Sequence, residues 1–248
     1  MRRVLLWGLL ALLTTSPAHA LTIAAASSLR LVMPELEEAF QEQHPGSELR
    51  VIFGASGKLA TQILNGAPYD VFLSADTAYP RTLVEQDAAA TEPEVYARGR
   101  LVLWPGERQR RLTLAGLASD DIHRVAIAQP RHAPYGQRAR EVLEAYGLWQ
   151  VLQPKLVYGE NIGQTAAMVE SGAADAGLIA WSLTFSPAWT QRPFTLINDD
   201  LHNPLSMAMV LTRHGADHPA AGEFLTFMRS ERARTLLGRY GFEAPGKD

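Results

Sequence analysis

The chain of 248 residues contains no cysteine. That excludes a disulfide-stapled scaffold, and it excludes the lipid-modified cysteine that would tether an exported protein to a membrane surface. A bilayer-length apolar run is missing too: the apolar stretch near the start, residues 4–13, is about half of the roughly 20 residues a spanning helix needs. Lying behind Arg2-Arg3 and ahead of Ala18-His19-Ala20, it reads as part of a cleavable secretory signal peptide over residues 1–20, with a membrane anchor as the alternative. The mature chain then begins near Leu21, and a soluble periplasmic protein is expected.

Excess basic charge is absent as well. Once Arg2 and Arg3 leave with the leader, 21 basic residues face 26 acidic ones, a net charge of −5 with histidines neutral. A nucleic-acid partner is therefore not expected. An anion could be attracted only by locally aimed donors, because the overall field repels it.

The common catalytic and metal motifs are incomplete. In Gly54-Ala55-Ser56-Gly57-Lys58, Lys58 stands where a G-x-S-x-G nucleophile elbow has its last glycine. The same segment fails as a phosphate-binding P-loop: Ile52 occupies the first glycine position and Leu59 the position of the magnesium-holding hydroxyl. His214 and His218 are four apart, but Gly215-Ala216-Asp217 and Pro219 around them read as a loop entering a helix rather than a zinc site. The spread of Trp104, Trp149, Trp181 and Trp189 suits packing better than stacking on a ligand. No repeat or low-complexity segment appears, and an enzyme is not expected; a hydrolase using Ser56 with an unidentified histidine is the remaining catalytic alternative.

What is present is an alternation of short apolar runs with amphipathic stretches, the pattern of β-α-β units and an α/β class. Strands are expected at residues 21–26, 49–53, 70–73, 100–104, 124–128, 155–158, 177–181 and 207–212. Helices are expected at 58–65, 137–146, 164–171, 219–228 and 231–240, and also where Leu29, Val32, Met33, Leu36 and Phe40 recur at helical spacing. Residues 186–193 read as irregular. A second pattern restarts beyond residue 97, and the last elements suit a return to the first. This gives a first lobe of residues 21–98 plus 208–248 and a second of 99–207, with a two-strand hinge near 98–104 and 203–210 and a cleft between the lobes. The rival is one doubly wound domain. In either case ligands are expected at the carboxyl ends of the strands.

Four turns at those ends carry the functional signal. Ala26-Ser27-Ser28-Leu29 and Gly54-Ala55-Ser56-Gly57-Lys58-Leu59 each sit where a strand hands over to a helix, and Ala133-Pro134-Tyr135-Gly136 and Glu160-Asn161-Ile162-Gly163 precede helices in the second half. Helix N-termini expose unpaired N–H groups and partial positive charge, so two or more of them can hold one oxyanion with neutral donors. Each turn taken singly is also explained as an ordinary cap or turn. Ser56 with a glycine two residues before it and another directly after it, where backbone can approach a ligand closely, is the feature that favours binding.

At these residues the chain resembles the periplasmic molybdate-binding proteins of ABC transporters, over essentially its whole mature length. The likeness is carried by Ala25-Ala26-Ser27-Ser28-Leu29, by Phe53-Gly54-Ala55-Ser56-Gly57-Lys58-Leu59-Ala60, and by Gly66-Ala67-Pro68-Tyr69-Asp70-Val71-Phe72-Leu73-Ser74-Ala75-Asp76. Further stretches are Arg100-Leu101-Val102-Leu103-Trp104, Ala133-Pro134-Tyr135-Gly136, Leu156-Val157-Tyr158-Gly159-Glu160-Asn161-Ile162 and Arg239-Tyr240-Gly241-Phe242. The resemblance implies a two-lobe type II periplasmic-binding-protein fold, each lobe a mostly parallel sheet flanked by helices. Molybdate or tungstate would lie between the lobes and be delivered to an ABC transporter permease by a monomer that needs no cofactor; a carrier of the same fold for another anion, such as sulfate or an organic anion, is the alternative. Carried over by motif, Ser28 and Ser56, with Ser27 beside them, would donate from the first lobe, and Tyr135 and Ile162 would offer backbone N–H groups from the second. Contacts would be to the oxyanion only, with none to the metal atom. Many members of the family also use a tyrosine hydroxyl at a position that here holds Ala180; the Ala133-Pro134-Tyr135-Gly136 loop resembles that of a subgroup in which Tyr135 would compensate.

A donors-only site selects by protonation, then by size. Hydrogen phosphate carries a proton and asks for an acceptor, whereas molybdate, tungstate and sulfate ask only for donors. Phosphate should be refused unless Glu160 turns inward, and sulfate should be too small to reach every donor.

Overall fold

A computed structural model describes residues 20–106, 111–187 and 193–246. Apart from Ala20 the expected leader lies outside these residues, as does Trp189. The chain runs β1 (Leu21–Ala26), a 3-10 turn (Ser27–Leu29), α1 (Met33–Gln43), β2 (Leu49–Gly54), α2 (Ser56–Leu64), β3 (Val71–Leu73), α3 (Ala78–Glu85), β4 (Glu94–Gly99) and β5 (Leu101–Trp104). It continues with β6 (Val125–Ala128), α4 (Pro134–Ala145), α5 (Trp149–Leu152), β7 (Leu156–Gly159), α6 (Ile162–Glu170), β8 (Ala176–Ala180) and a 3-10 turn (Trp181–Phe185). The last elements are β9 (Thr195–Leu196), β10 (Leu205–Leu211), α7 (Pro219–Arg229) and α8 (Glu231–Arg239).

The strands form two five-stranded sheets with the same plan, in the orders β2-β1-β3-β10-β4 and β7-β6-β8-β5-β9. In each, three strands pair in parallel: β2, β1 and β3 in the first, β7, β6 and β8 in the second. The fourth strand, β10 or β5, is antiparallel to both of its neighbours. Each sheet is thus mostly parallel, with one strand running against the other four, and chain crossing is the reason for that one. The two sheets point the carboxyl ends of their parallel strands at one another, so a strand leaving one sheet in the parallel direction enters the other running backwards. β4 and β5 make this crossing in one extended run with only Arg100 between them, and β10 makes the return.

That return starts earlier than the sequence suggested. Leu205, Ser206 and Met207 already pair with Gly99, Arg98 and Ala97 of the first sheet, so residues 205–207, expected in the second lobe, are strand partners in the first. Leu205 and Met207 are buried, which is what draws them into the ladder. A bulge follows at Tyr96, which has no partner between the Ala97–Met207 and Val95–Ala208 pairs and turns a buried side chain inward.

Both faces of the first sheet are covered. Ile23 and Ala25 of β1 pack with Met33, Leu36 and Phe40 of α1, while Ala24 and Phe72 face Leu59, Ile63 and Leu83 of α2 and α3, as the twofold period of a strand requires. Phe40 meets Phe224 and Phe227 of α7 edge-on, with ring centroids at 5.3 and 5.6 Å. Each such buried side chain contributes about 1.5 to 3 kcal/mol. Among the described residues no helix is long and apolar enough to cross a membrane.

Candidate functional site

The five residues singled out from the sequence come together where the sheets face each other, and all are buried: Ser27, Ser28, Ser56, Tyr135 and Ile162. Three of them lie inside helices rather than in the preceding loops. α2, α4 and α6 begin at Ser56, Pro134 and Ile162, two to three residues ahead of the sequence-based starts. Ser56, Tyr135 and Ile162 therefore occupy first turns, where N–H groups have no carbonyl one turn back. No side chain caps α2 or α4, and Asn161 caps α6 at Gln164 N, 3.0 Å away, not at Ile162. Ser27 and Ser28 form a separate 3-10 turn, with α1 starting only at Met33.

The hydroxyls divide by what they touch. Ser27 donates to the Gly54 carbonyl at 3.0 Å, pinning its turn to the end of β2; that hydrogen is engaged. Ser56 accepts from Ala75 N–H at 3.0 Å, which fixes the oxygen and leaves the hydroxyl hydrogen to point elsewhere. Ser28 Oγ and Tyr135 Oη are buried beside each other, with no hydrogen-bond partner outside that pair. A buried polar atom without a partner costs about 1 to 3 kcal/mol, so two side by side mark a place built for something that accepts from both.

Tyr135 brings more than its backbone N–H. Its side chain runs from the first turn of α4 to the crossover, where its hydroxyl lies so close to Gly99 that a side chain there would collide with it. Burial pushes the phenol well above its usual range, and the Ser28 hydroxyl beside it offsets part of that. Tyr96 lies near it, likewise raised by burial and then by Tyr135, and its hydroxyl is 3.4 Å from the Ser74 carbonyl. Both phenols therefore stay protonated donors at physiological pH. Ala180 is buried at the end of β8, opposite Leu101.

Several contacts join the two sides. Ser182 donates to the Ser28 carbonyl at 2.8 Å, Gly57 N–H donates to the His132 carbonyl at 2.9 Å, and Lys58 Nζ meets Glu160 Oε1 at 2.7 Å. The sequence singled out neither Ser182 nor His132, and no motif marks them. Glu160 does not turn inward: its carboxylate is engaged by Lys58, whose hydrogen bond and charge hold it below the usual carboxylate range. Asp76, one residue beyond Ala75, is raised by burial, partly offset by hydrogen bonds from Tyr79 N–H and Ser74 Oγ.

The His132 ring faces the Glu160 carbonyl at 3.0 Å, and the hydrogen bond recorded for the Ser56 hydroxyl is the one from Ala75 N–H, with no imidazole. His214 lies in a 3-10 turn and His218 caps α7 at Ala220 N. Among the described residues no group of three or more His, Asp or Glu side chains is placed to hold a metal ion.

Comparison with known proteins shows the family and the fold. Residues 21–243 match the family model of bacterial extracellular solute-binding proteins. The chain is similar to the molybdate-binding protein ModA of Rhodobacter capsulatus, 34% identical over 91% of this chain and 90% of that protein. It is also similar to ModA of Azotobacter vinelandii, at 31% identity over 95% and 93% of the two chains. The solved structure of the Azotobacter vinelandii periplasmic molybdate-binding protein superposes with a TM-score of 0.85 at 29% identity, covering 91% of this chain and all of that one.

Proposed function

Because this chain belongs to the family of bacterial extracellular solute-binding proteins, we propose that it captures molybdate, and tungstate with it, in the periplasm and hands it to the permease of an ABC transporter. The observation that carries this reading is the pair of buried, unpartnered hydroxyls, Ser28 Oγ from the first lobe and Tyr135 Oη from the second. A tetrahedral dianion between them accepts from both, from the Ser56 hydroxyl, and from the N–H groups of Ser56, Tyr135 and Ile162 in the first turns of α2, α4 and α6. Every one of these groups donates, and the nearby carboxylate of Glu160 is occupied by Lys58. A fully deprotonated oxyanion suits such a site and hydrogen phosphate does not.

In this reading the Tyr135 hydroxyl takes the part that a tyrosine at the Ala180 position plays in related sites, and Ser27 serves by holding its turn rather than by donating. The lobes, divided at the β4–β5 and β9–β10 crossings, move apart to admit the ion and close on it, and the closed form is what a permease distinguishes. The ion is carried unchanged, which is binding without catalysis.

A thermal-shift series on the mature chain with molybdate, tungstate, sulfate and phosphate tests the proposal. A ligand at a hundredfold excess over its Kd adds about 2.7 kcal/mol, or roughly 5 to 10 °C for a chain of this size. Shifts with molybdate and tungstate only are expected. A shift with sulfate alone reassigns the cargo, and none with any of the four removes the oxyanion reading.

A further inference from the structure

We infer that Gly57, Lys58, His132 and Glu160 form a clasp across the mouth of the site that governs how fast the cargo leaves, an inference that rests on the two-lobe capture proposed above. Gly57 and Lys58 directly follow Ser56 in the first turn of α2. The first gives its N–H to the His132 carbonyl at 2.9 Å, the second its ammonium to Glu160 at 2.7 Å. On the opposite lobe those two acceptors are already joined, since His132 Nε2 lies 3.0 Å from the Glu160 carbonyl oxygen. Two adjacent residues of one lobe therefore grip a preassembled pair on the other.

The approach is close enough to require glycine. A Cβ at position 57 would sit 2.5 Å from Tyr79 Oη and 2.9 Å from the His132 carbonyl oxygen, so any side chain there pushes the lobes apart. The ionic half of the clasp is different in kind. The Lys58 and Glu160 side chains are 46% and 55% exposed, so the pair adds little to folding and is screened by salt. Because it joins the two lobes, its effect falls on the step between closed and open forms. Cargo enters the open form, in which the clasp is apart, and leaves only after the clasp has parted. Capture rates are thus insensitive to it and release rates are not.

Stopped-flow tryptophan fluorescence with molybdate tests this. Lys58→Met and Glu160→Gln should each speed dissociation about two- to fivefold at low salt, the size of one exposed ion pair, with association unchanged. The double variant should release no faster than either single one, as coupled partners require, and the reversed pair Lys58→Glu with Glu160→Lys should restore slow release. Near 1 M salt, where the Debye length is about 3 Å, wild type and variants should converge. Unchanged dissociation in the single variants, or effects that add in the double one, overturns the clasp. A second arm needs no cargo: amide hydrogen exchange at Gly57 in the protein alone should be faster in Lys58→Met. Equal exchange overturns the clasp whatever the chain carries. Faster exchange in a chain that binds none of the four oxyanions leaves the clasp standing and removes the cargo assignment instead.

Discussion

Ser182, in the turn after β8, donates its hydroxyl to the carbonyl of Ser28 at 2.8 Å, joining residues 154 positions apart in sequence. The Ser28 backbone is thereby held from the second lobe while Ser27, bonded to Gly54, holds the same turn from the first. Of the two side-chain hydroxyls in that turn, the Ser28 one is left without a partner.

Ser28→Ala should therefore separate binding from folding. Molybdate affinity should fall by about 1 to 3 kcal/mol, the loss of a donor to a charged acceptor, while the ligand-free protein keeps or slightly gains stability because an unsatisfied buried hydroxyl has gone. Calorimetric titration together with melting of the ligand-free variant checks both halves.

Ser56→Ala should behave differently, although the two serines look alike in sequence. Ser56 Oγ accepts from the buried Ala75 N–H, so its removal orphans a backbone donor as well as weakening the site. The ligand-free Tm should drop, at about 2 to 4 °C for each kcal/mol lost, on top of a binding loss like that of Ser28→Ala. An unchanged ligand-free Tm would contradict the Ala75 bond.

Tyr135→Phe keeps the ring and removes the hydroxyl, so it should weaken binding by about 1 to 3 kcal/mol with little change in fold. Gly99→Ala should weaken binding too, though Gly99 donates nothing to the ion, because the added methyl collides with the Tyr135 hydroxyl and displaces it. Titration of both variants checks whether the hydroxyl, rather than the Tyr135 N–H alone, serves the site.

Asp76 gives the chain a pH dependence of definite sign. Burial raises its carboxyl above the ordinary 3.8 in spite of its hydrogen bonds to Tyr79 N–H and Ser74 Oγ. The folded protein consequently holds a proton that the unfolded chain has released. The stability this contributes is fully present below the unfolded value and is lost as pH rises through the raised folded value. Asp76→Asn keeps the side-chain oxygen as acceptor and removes the titration. Its stability relative to wild type should climb as pH rises across that window and then level off, which urea denaturation between pH 3.5 and 7 measures. A relative stability that falls across the window would reverse the assignment.

The strands of the parallel cores were legible because Leu21, Ile23 and Val71 or Val125 and Ile127 make short apolar runs that can only be buried. β4 was not: Glu94, Arg98 and Gly99 interrupt its apolar pattern, although all three pair with β10; the Glu94 and Arg98 side chains meet Arg229 and Asp199, and Gly99 leaves room for the Tyr135 hydroxyl. α3 was hidden by Pro80, which sits early enough in that helix to be tolerated. The helices that carry the site were seen with their first turns missing, because Ser56-Gly57, Pro134-Tyr135-Gly136 and Ile162-Gly163 read as loops; the small residues that let backbone N–H groups approach a ligand are the ones that obscure a helix start. The position of Ser28 and Ser56 could be read from motif. What holds each of them could not, since the Ser56 hydroxyl is fixed by Ala75 N–H and the Ser28 carbonyl by Ser182, which neighbour them only in the folded chain.

In the proposed site one oxyanion is held between the lobes by Ser28, Ser56, Tyr135 and Ile162. A crystal structure of the mature chain grown with tungstate, with the tungsten located by its anomalous scattering, tests this most directly. The expected result is a single buried tungsten peak, with tungstate oxygens within hydrogen-bond distance of Ser28 Oγ, Ser56 Oγ, Tyr135 Oη and the N–H groups of Ser56, Tyr135 and Ile162. A peak elsewhere on the protein, or none at a concentration that saturates binding in solution, would contradict it.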